Sequence, residues 1–248
     1  PDVTYFMIDS NPILILEHDL SRLDATGRDF GFDPIARELP AFEQDLGPLD
    51  TQGSYNMTIR VHPDDSNIVF VGGTNLYRST DAFRTQENIK WIGGYDPGGG
   101  TSVYPGHHPD QHDILFLPSD SDVAFSANDG GLRRSDAILA DSVMWLSSYA
   151  GFVTSLFFTV AQSMNICNAA VIGGMQDNGT DISRNGSLVW DGVIGGDGGY
   201  AATTNDAALW VASFQRGQTL RLTLDEENDL TSFGRVDLGG LLIIKKKK

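Results

Sequence analysis

Residues 68–79 read Ile68-Val-Phe-Val-Gly-Gly-Thr-Asn-Leu-Tyr-Arg-Ser79, and the same wording returns twice with changes. Residues 123–135 read Val123-Ala-Phe-Ser-Ala-Asn-Asp-Gly-Gly-Leu-Arg-Arg-Ser135. Residues 170–183 read Ala170-Val-Ile-Gly-Gly-Met-Gln-Asp-Asn-Gly-Thr-Asp-Ile-Ser183. Each copy is a short apolar strand, a turn of Gly, Asn and Asp, a second short strand and a polar exit. Each is followed by a tryptophan, Trp91, Trp145 or Trp190. Aligned on Leu76, Leu132 and Thr180, the copies are 56 and 48 residues apart. One small sheet cannot bury both its faces alone, so strand-built repeats of about 40–50 residues predict the blades of a β-propeller.

The rest of the chain supports an all-β class. Strand signals over 4–8, 13–16, 55–61, 113–117, 155–161, 188–190, 200–203, 208–213 and 219–224 alternate with turn chemistry such as Asp64-Asp-Ser-Asn67 and Asn185-Gly186. The only helical stretch is 34–46, which Pro40 limits to one or two turns. The repeat divides a propeller domain over 1–240 into five blade-like units, at about 1–50, 51–105, 106–155, 156–194 and 195–240. In the first, 21–30 is at best a degenerate blade turn. The units close a small ring or form part of a larger propeller. The tail 241–248, ending in Lys245–Lys248, is atypical and carries no functional weight. A β-sandwich competes, but it does not require the recurring hairpin and tryptophan.

Composition narrows the partners. In 248 residues, 33 acidic side chains outnumber 17 basic ones, for a net charge of −16. Such a surface does not displace counterions from phosphates, which excludes wrapping nucleic acid. It suits calcium, a cationic partner or solubility outside cells. No run reaches the ~18 apolar residues of a membrane span. Cys167 stands alone in an apolar setting and reads as a buried core thiol. The opening at Pro1-Asp-Val-Thr-Tyr-Phe6 reads as the middle of a strand, which suggests a processed form or a segment of a larger protein. With strand signals at both ends, pairing with another copy is expected if the ring is incomplete.

Ser79-Thr80-Asp81, with Phe83 where a glycine is expected, and the altered Ser135-Asp136 resemble the Asp-box (BNR) hairpin of sialidase-like, sortilin-like and xyloglucanase-like propellers. An ordered set then covers roughly 60% of the chain. It runs Gln52-Gly-Ser-Tyr-Asn56, Val71-Gly-Gly73, His108-Pro-Asp-Gln-His112, Asn128-Asp-Gly-Gly131, Gly174-Met-Gln-Asp-Asn-Gly-Thr180 and Gly196-Asp-Gly198. It looks like secreted bacterial Asp-box propellers of the sortilin-like or glycosyl-hydrolase BNR-repeat type. The resemblance implies a secreted or cell-surface propeller, and location and fold more than activity.

Candidate chemistry concentrates in those motifs. On a regular strand His108, Asp110 and His112 would share a face, like a two-His-one-carboxylate metal triad. At ~3.3 Å per residue the histidines sit about 13 Å apart, too far for ~2.1 Å bonds to one ion. A polar network, with His112 held by a carboxylate, is the better expectation. Asp110, Asp129, Asp177 and Asp197 occupy equivalent blade positions, and with Asn128, Gln176 and Asn178 they form an oxygen-rich set. Three readings are open. The set binds a sugar, or calcium at Asp129, Asp177 and Asp197; two of the aspartates hydrolyse a glycoside; or the motifs are tight turns. Sialidase chemistry lacks its arginine cluster. Tyr95 and Tyr104, flanking a glycine-rich loop, are candidates for stacking on a sugar. Asn56, Asn178 and Asn185 head glycosylation sequons. The expected function is a secreted binding or structural module, for glycans or for extracellular assembly, with no obligatory cofactor; the alternative is a glycoside hydrolase using paired axial aspartates.

Overall fold

The computed structural model describes residues 3–9, 13–19, 35–38, 46–47, 49–148, 155–164, 169–227 and 229–236. Cys167, the 21–30 turn, most of 34–46 and the 241–248 tail lie outside them. The chain is all-β and of β-propeller type. Among the described residues it holds five antiparallel sheets, four of them four-stranded meanders in which each strand pairs with the next. They are β1–β3 (Val3–Ile8, Leu14–Asp19, Ile35–Glu38), β4–β7 (Thr58–His62, Asp65–Gly72, Leu76–Ser79, Ile89–Gly93), β8–β11 (Gln111–Leu117, Asp120–Asn128, Gly131–Ser135, Leu146–Ser147), β12–β15 (Thr159–Gln162, Ala170–Met175, Gly179–Arg184, Asp191–Ile194) and β16–β19 (Ala201–Thr203, Trp210–Phe214, Gln218–Leu224, Leu230–Arg235). The helical expectation fails where it can be seen. Ile35–Glu38 is a strand paired with β2, because ladder hydrogen bonds outweigh the local propensity of a short segment.

The chain divides into two compact units, Pro1–Phe152 and Val153–Lys248. In the first, β5 explains why Ile68-Val-Phe-Val71 is apolar throughout. Its side chains alternate: Val69 and Val71 join a core with Tyr5, Ile15, Tyr77 and Phe83, and Phe70 joins a second core with Leu76, Ile92, Ile114 and Trp145. A strand buried on both faces needs a continuous apolar run. In the second unit Ile172 and Ile182 pack with Trp210, Ala212, Leu220 and Leu222.

The three repeat tryptophans share a place in the topology but not an environment. Trp91 lies in β7, Trp145 just before β11 and Trp190 just before β15, so each marks the fourth strand of its sheet. Trp145 is buried and donates from Nε1 to the Ile92 carbonyl at 2.7 Å. Trp91 is half-buried against Tyr104, with ring centroids 4.8 Å apart. Trp190 is exposed and leans on Phe157. The repeat therefore fixes the place of each tryptophan in its sheet but not its burial, which depends on what each fourth strand faces. The 188–190 strand is also corrected: β15 begins at Asp191.

Candidate functional site

The turn after β5 positions the site. A Cβ on Gly73 would come within 2.4 Å of the Asp50 carbonyl, so only glycine lets the two backbones meet. Thr74 N–H then donates to Asp50 O (2.7 Å), Gln111 N–H to Gly73 O (2.8 Å) and Asp110 N–H to Thr74 O (2.9 Å). The chain before β8 is thereby clasped to the end of β5, and Asp110 is held at φ 65°. Left-handed backbone at a non-glycine residue is uncommon, though Asp tolerates it better than most.

This corrects the shared-face reading of His108, Asp110 and His112. The strand starts only at Gln111, and Asp110 breaks the alternation before it. His112 is the extra residue of a β-bulge, since Gln111 pairs with Asn128 and Asp113 with Ala127. A bulge re-aims its side chain, and here the imidazole Nε2 meets Asp129 Oδ1. Exposed Tyr55 packs on the His112 ring edge-on, at 5.5 Å.

Asp110 is buried, and its Oδ1 accepts from Asn56 Nδ2 (2.7 Å) and Gln52 Nε2 (3.1 Å). Its Oδ2 accepts no hydrogen bond from a described residue. A carboxylate oxygen of Asp110 lies within 4.8 Å of one of Asp129. Burial, and then the Asp129 charge, push the Asp110 carboxyl above its ordinary pKa; His108, the Asn56 hydrogen bond and His112 oppose this. The loop that supplies Gln52 is strained at two non-glycine residues, Gln52 and Ser54, left-handed at φ 49° and 68°, while Gly53 between them takes φ 68° freely. Backbone strain of this kind collects at functional sites.

The remaining candidates separate into different roles. Asn128 is buried and caps its own turn, accepting from Gly130 N–H at 3.1 Å. Gly130 leaves room for His108, whose ring would lie 2.4 Å from a Cβ there. In the second unit Asp197 Oδ1 accepts Asp177 N–H at 3.1 Å, and Gln176 and Asn178 are exposed in the same turn. Tyr95 is exposed. Tyr104 is buried and donates to the Val143 carbonyl at 3.0 Å, which corrects its reading as a stacking surface. Asn56 is fully buried with Nδ2 committed to Asp110, so the glycan expected there has no room in this fold. Asn178 and Asn185 are exposed.

Sequence reasoning did not single out His107 and Ser126, which meet at 3.0 Å and look like a base and a nucleophile. Their wiring argues otherwise. Gly94 N–H donates to His107 Nδ1, so Nε2 carries the proton and donates to Ser126 Oγ, which in turn donates to Gln111 Oε1. Burial depresses the His107 pKa to about 3, so the ring is a neutral structural donor. Nothing in Gly106-His107-His108-Pro109 distinguishes His107 from His108 in the sequence.

No family model and no curated protein matches the chain. Among solved structures it is similar to an ancestral GH74 enzyme, at 10% identity and a TM-score of 0.28, over 95% of this chain and 36% of that one. It is also similar to a GH74 enzyme of Niastella koreensis, at 14% identity and a TM-score of 0.35, over 90% of this chain and 38% of the other. The chain thus spans little more than a third of either structure. Both scores are below 0.5, and the fold assignment rests on the sheets described above.

Proposed function

We propose that the chain is a saccharide-binding module of an extracellular Asp-box propeller of the sortilin-like type, and that the sugar sits on the Tyr55–His112–Asp129 edge. The observation behind this reading is an exposed aromatic ring set against an imidazole that a carboxylate holds in place. Sugars present apolar C–H faces and a fixed pattern of hydroxyls; Tyr55 offers a face, while Asp129 and Gln52 offer acceptors and donors beside it. The Asp-box assignment draws on Asp81, whose carboxylate accepts from Thr85 N–H (2.9 Å), Arg84 N–H (3.1 Å) and Ser79 Oγ (2.8 Å). Titration with neutral oligosaccharides tests the reading: Tyr55→Ala and His112→Ala should each weaken binding about tenfold or more without lowering Tm. Binding unchanged in both variants would refute it.

Hydrolysis is the second reading, favoured by the Asp110–Asp129 proximity and the raised Asp110 pKa, which sets an acid beside a carboxylate. It requires that Asp110→Asn and Asp129→Asn each abolish release of reducing ends while the fold survives. Calcium belongs to the proposal as an accessory ligand of the acidic turns, at Asp129 in the first unit and, separately, at Asp177 and Asp197 in the second. An ion in the first unit would have to displace His112 from Asp129, and one in the second would have to displace the Asp177 N–H from Asp197 Oδ1. A Tm that rises in about millimolar CaCl2 supports it. Copies of the chain are proposed partners in extracellular assembly, to be read from sedimentation.

A further inference from the structure

A cavity of about 370 Å³ opens between the β4–β5 turn and the β8–β9 turn of the first unit. Its size is at the low end for small-ligand sites. Pro63, Phe116 and Pro118 supply apolar walls, and Asp64 and Asp120 supply carboxylates; none of its eight lining residues is basic.

The two turns are bolted together by a closed ring of hydrogen bonds. Asp64 N–H donates to His62 Nδ1 at 3.3 Å, which places the imidazole proton on Nε2. Nε2–H donates to the Ser121 carbonyl at 3.2 Å, and Ser121 Oγ donates to Asp64 Oδ2. His62 is buried, and its ring packs edge-on against Phe116 at 5.3 Å. Asp120 is fixed from its own side, since its Oδ1 accepts Asp122 N–H at 3.2 Å. Both carboxylates are exposed yet held before any ligand arrives, which lowers the ordering cost of binding.

We propose that this cavity binds an alkylammonium group, the stem lying on Pro63, Phe116 and Pro118 and the charged head between Asp64 and Asp120. Three features select that chemistry. Anions meet two carboxylates and no cation. A purely apolar ligand leaves both carboxylates facing its end. An ammonium on a short methylene stem matches the walls and the rim together, and the Phe116 ring adds cation–π attraction. The site is distinct from the Tyr55–His112–Asp129 edge and does not depend on the saccharide reading.

The test is a titration of the intact chain with Nα-acetyl-lysine methylamide, followed by backbone amide shifts. Saturable shifts at Asp64, Ser119 and Ser121 are expected, with a Kd on the order of 1 mM. The norleucine analogue, which lacks the charge, should leave these amides unmoved. Asp64→Asn with Asp120→Asn keeps the acceptor for Ser121 and should weaken binding about tenfold, as should raising the salt severalfold. Cadaverine and a lysine tripeptide distinguish a free amine from a protein side chain as the source. Equal binding of the norleucine analogue, an unchanged double variant, or no saturation would overturn the proposal.

Discussion

The exits from two hairpins, one in each unit, adopt the same backbone with opposite sequences. After β6 the left-handed pair is Ala82 and Phe83 at φ 55° and 58°; after β14 it is Asn185 and Gly186 at 54° and 70°. Asn-Gly takes this conformation readily, while Ala-Phe is strained by roughly 1–2 kcal/mol per residue. The strained pair is nevertheless the better anchored. Phe83 is buried in the core with Val69 and Tyr77, its N–H donates to Ser79 Oγ at 2.8 Å, and Asp81 collects the neighbouring donors. Asn185 and Gly186 are exposed, and a Cβ at Gly186 would meet nothing within 4 Å. Packing therefore overrides local preference in the first turn; in the second, local preference acts without side-chain packing and is helped by backbone hydrogen bonds such as Asn185 N–H to the Ala169 carbonyl at 2.6 Å.

Substitutions should separate these two causes. Phe83→Ala keeps the backbone strain and loses the burial, so it should cost about 3–5 kcal/mol in denaturant unfolding; a loss below about 1 kcal/mol would mean Phe83 does not anchor the turn. Asp81→Ala should cost about 1–2 kcal/mol at neutral pH. Partial burial works to raise the Asp81 pKa, but hydrogen bonds from Thr85, Ser79, Asn88 and Arg84 outweigh it and hold it low. Its contribution is then present above the ordinary carboxylate pKa of about 4 and is lost as pH falls through the folded value. The stability gap between wild type and Asp81→Ala should accordingly close in acid. Gly186→Ala should cost only about 1 kcal/mol, all of it backbone strain, and a larger loss would reveal packing at that turn.

Asp110 should show the opposite sign to Asp81. Its folded pKa is raised, so its favourable contribution is complete below about pH 4 and is lost as pH rises through the folded value. Asp110→Asn keeps an acceptor for Gln52 and Asn56 and removes the repulsion with Asp129. It should raise Tm by about 2 °C at neutral pH, with the gain vanishing in acid. A Tm lowered at every pH would show that the carboxylate itself is needed for the clasp.

Hairpins, turn positions and the apolar run of β5 were legible from residue order, because strand period and turn chemistry act over a few neighbours. The all-β, blade-like architecture of the described residues followed from the recurrence of that short-range pattern. Residue order also brought Asp110, Asp129 and Asn56 to attention without assigning their roles, and of His112 it said that a carboxylate holds it but not which one. The bulge at His112, the left-handed Asp110 and the burial of Asn56 and Tyr104 arise where β4–β7 packs against β8–β11. The same holds for the three tryptophans, alike in the repeat yet buried, half-buried and exposed in the fold. Burial, pKa and hydrogen-bond wiring depend on atoms distant in sequence, so only tertiary structure decides which polar residue is a clasp and which is left facing a ligand.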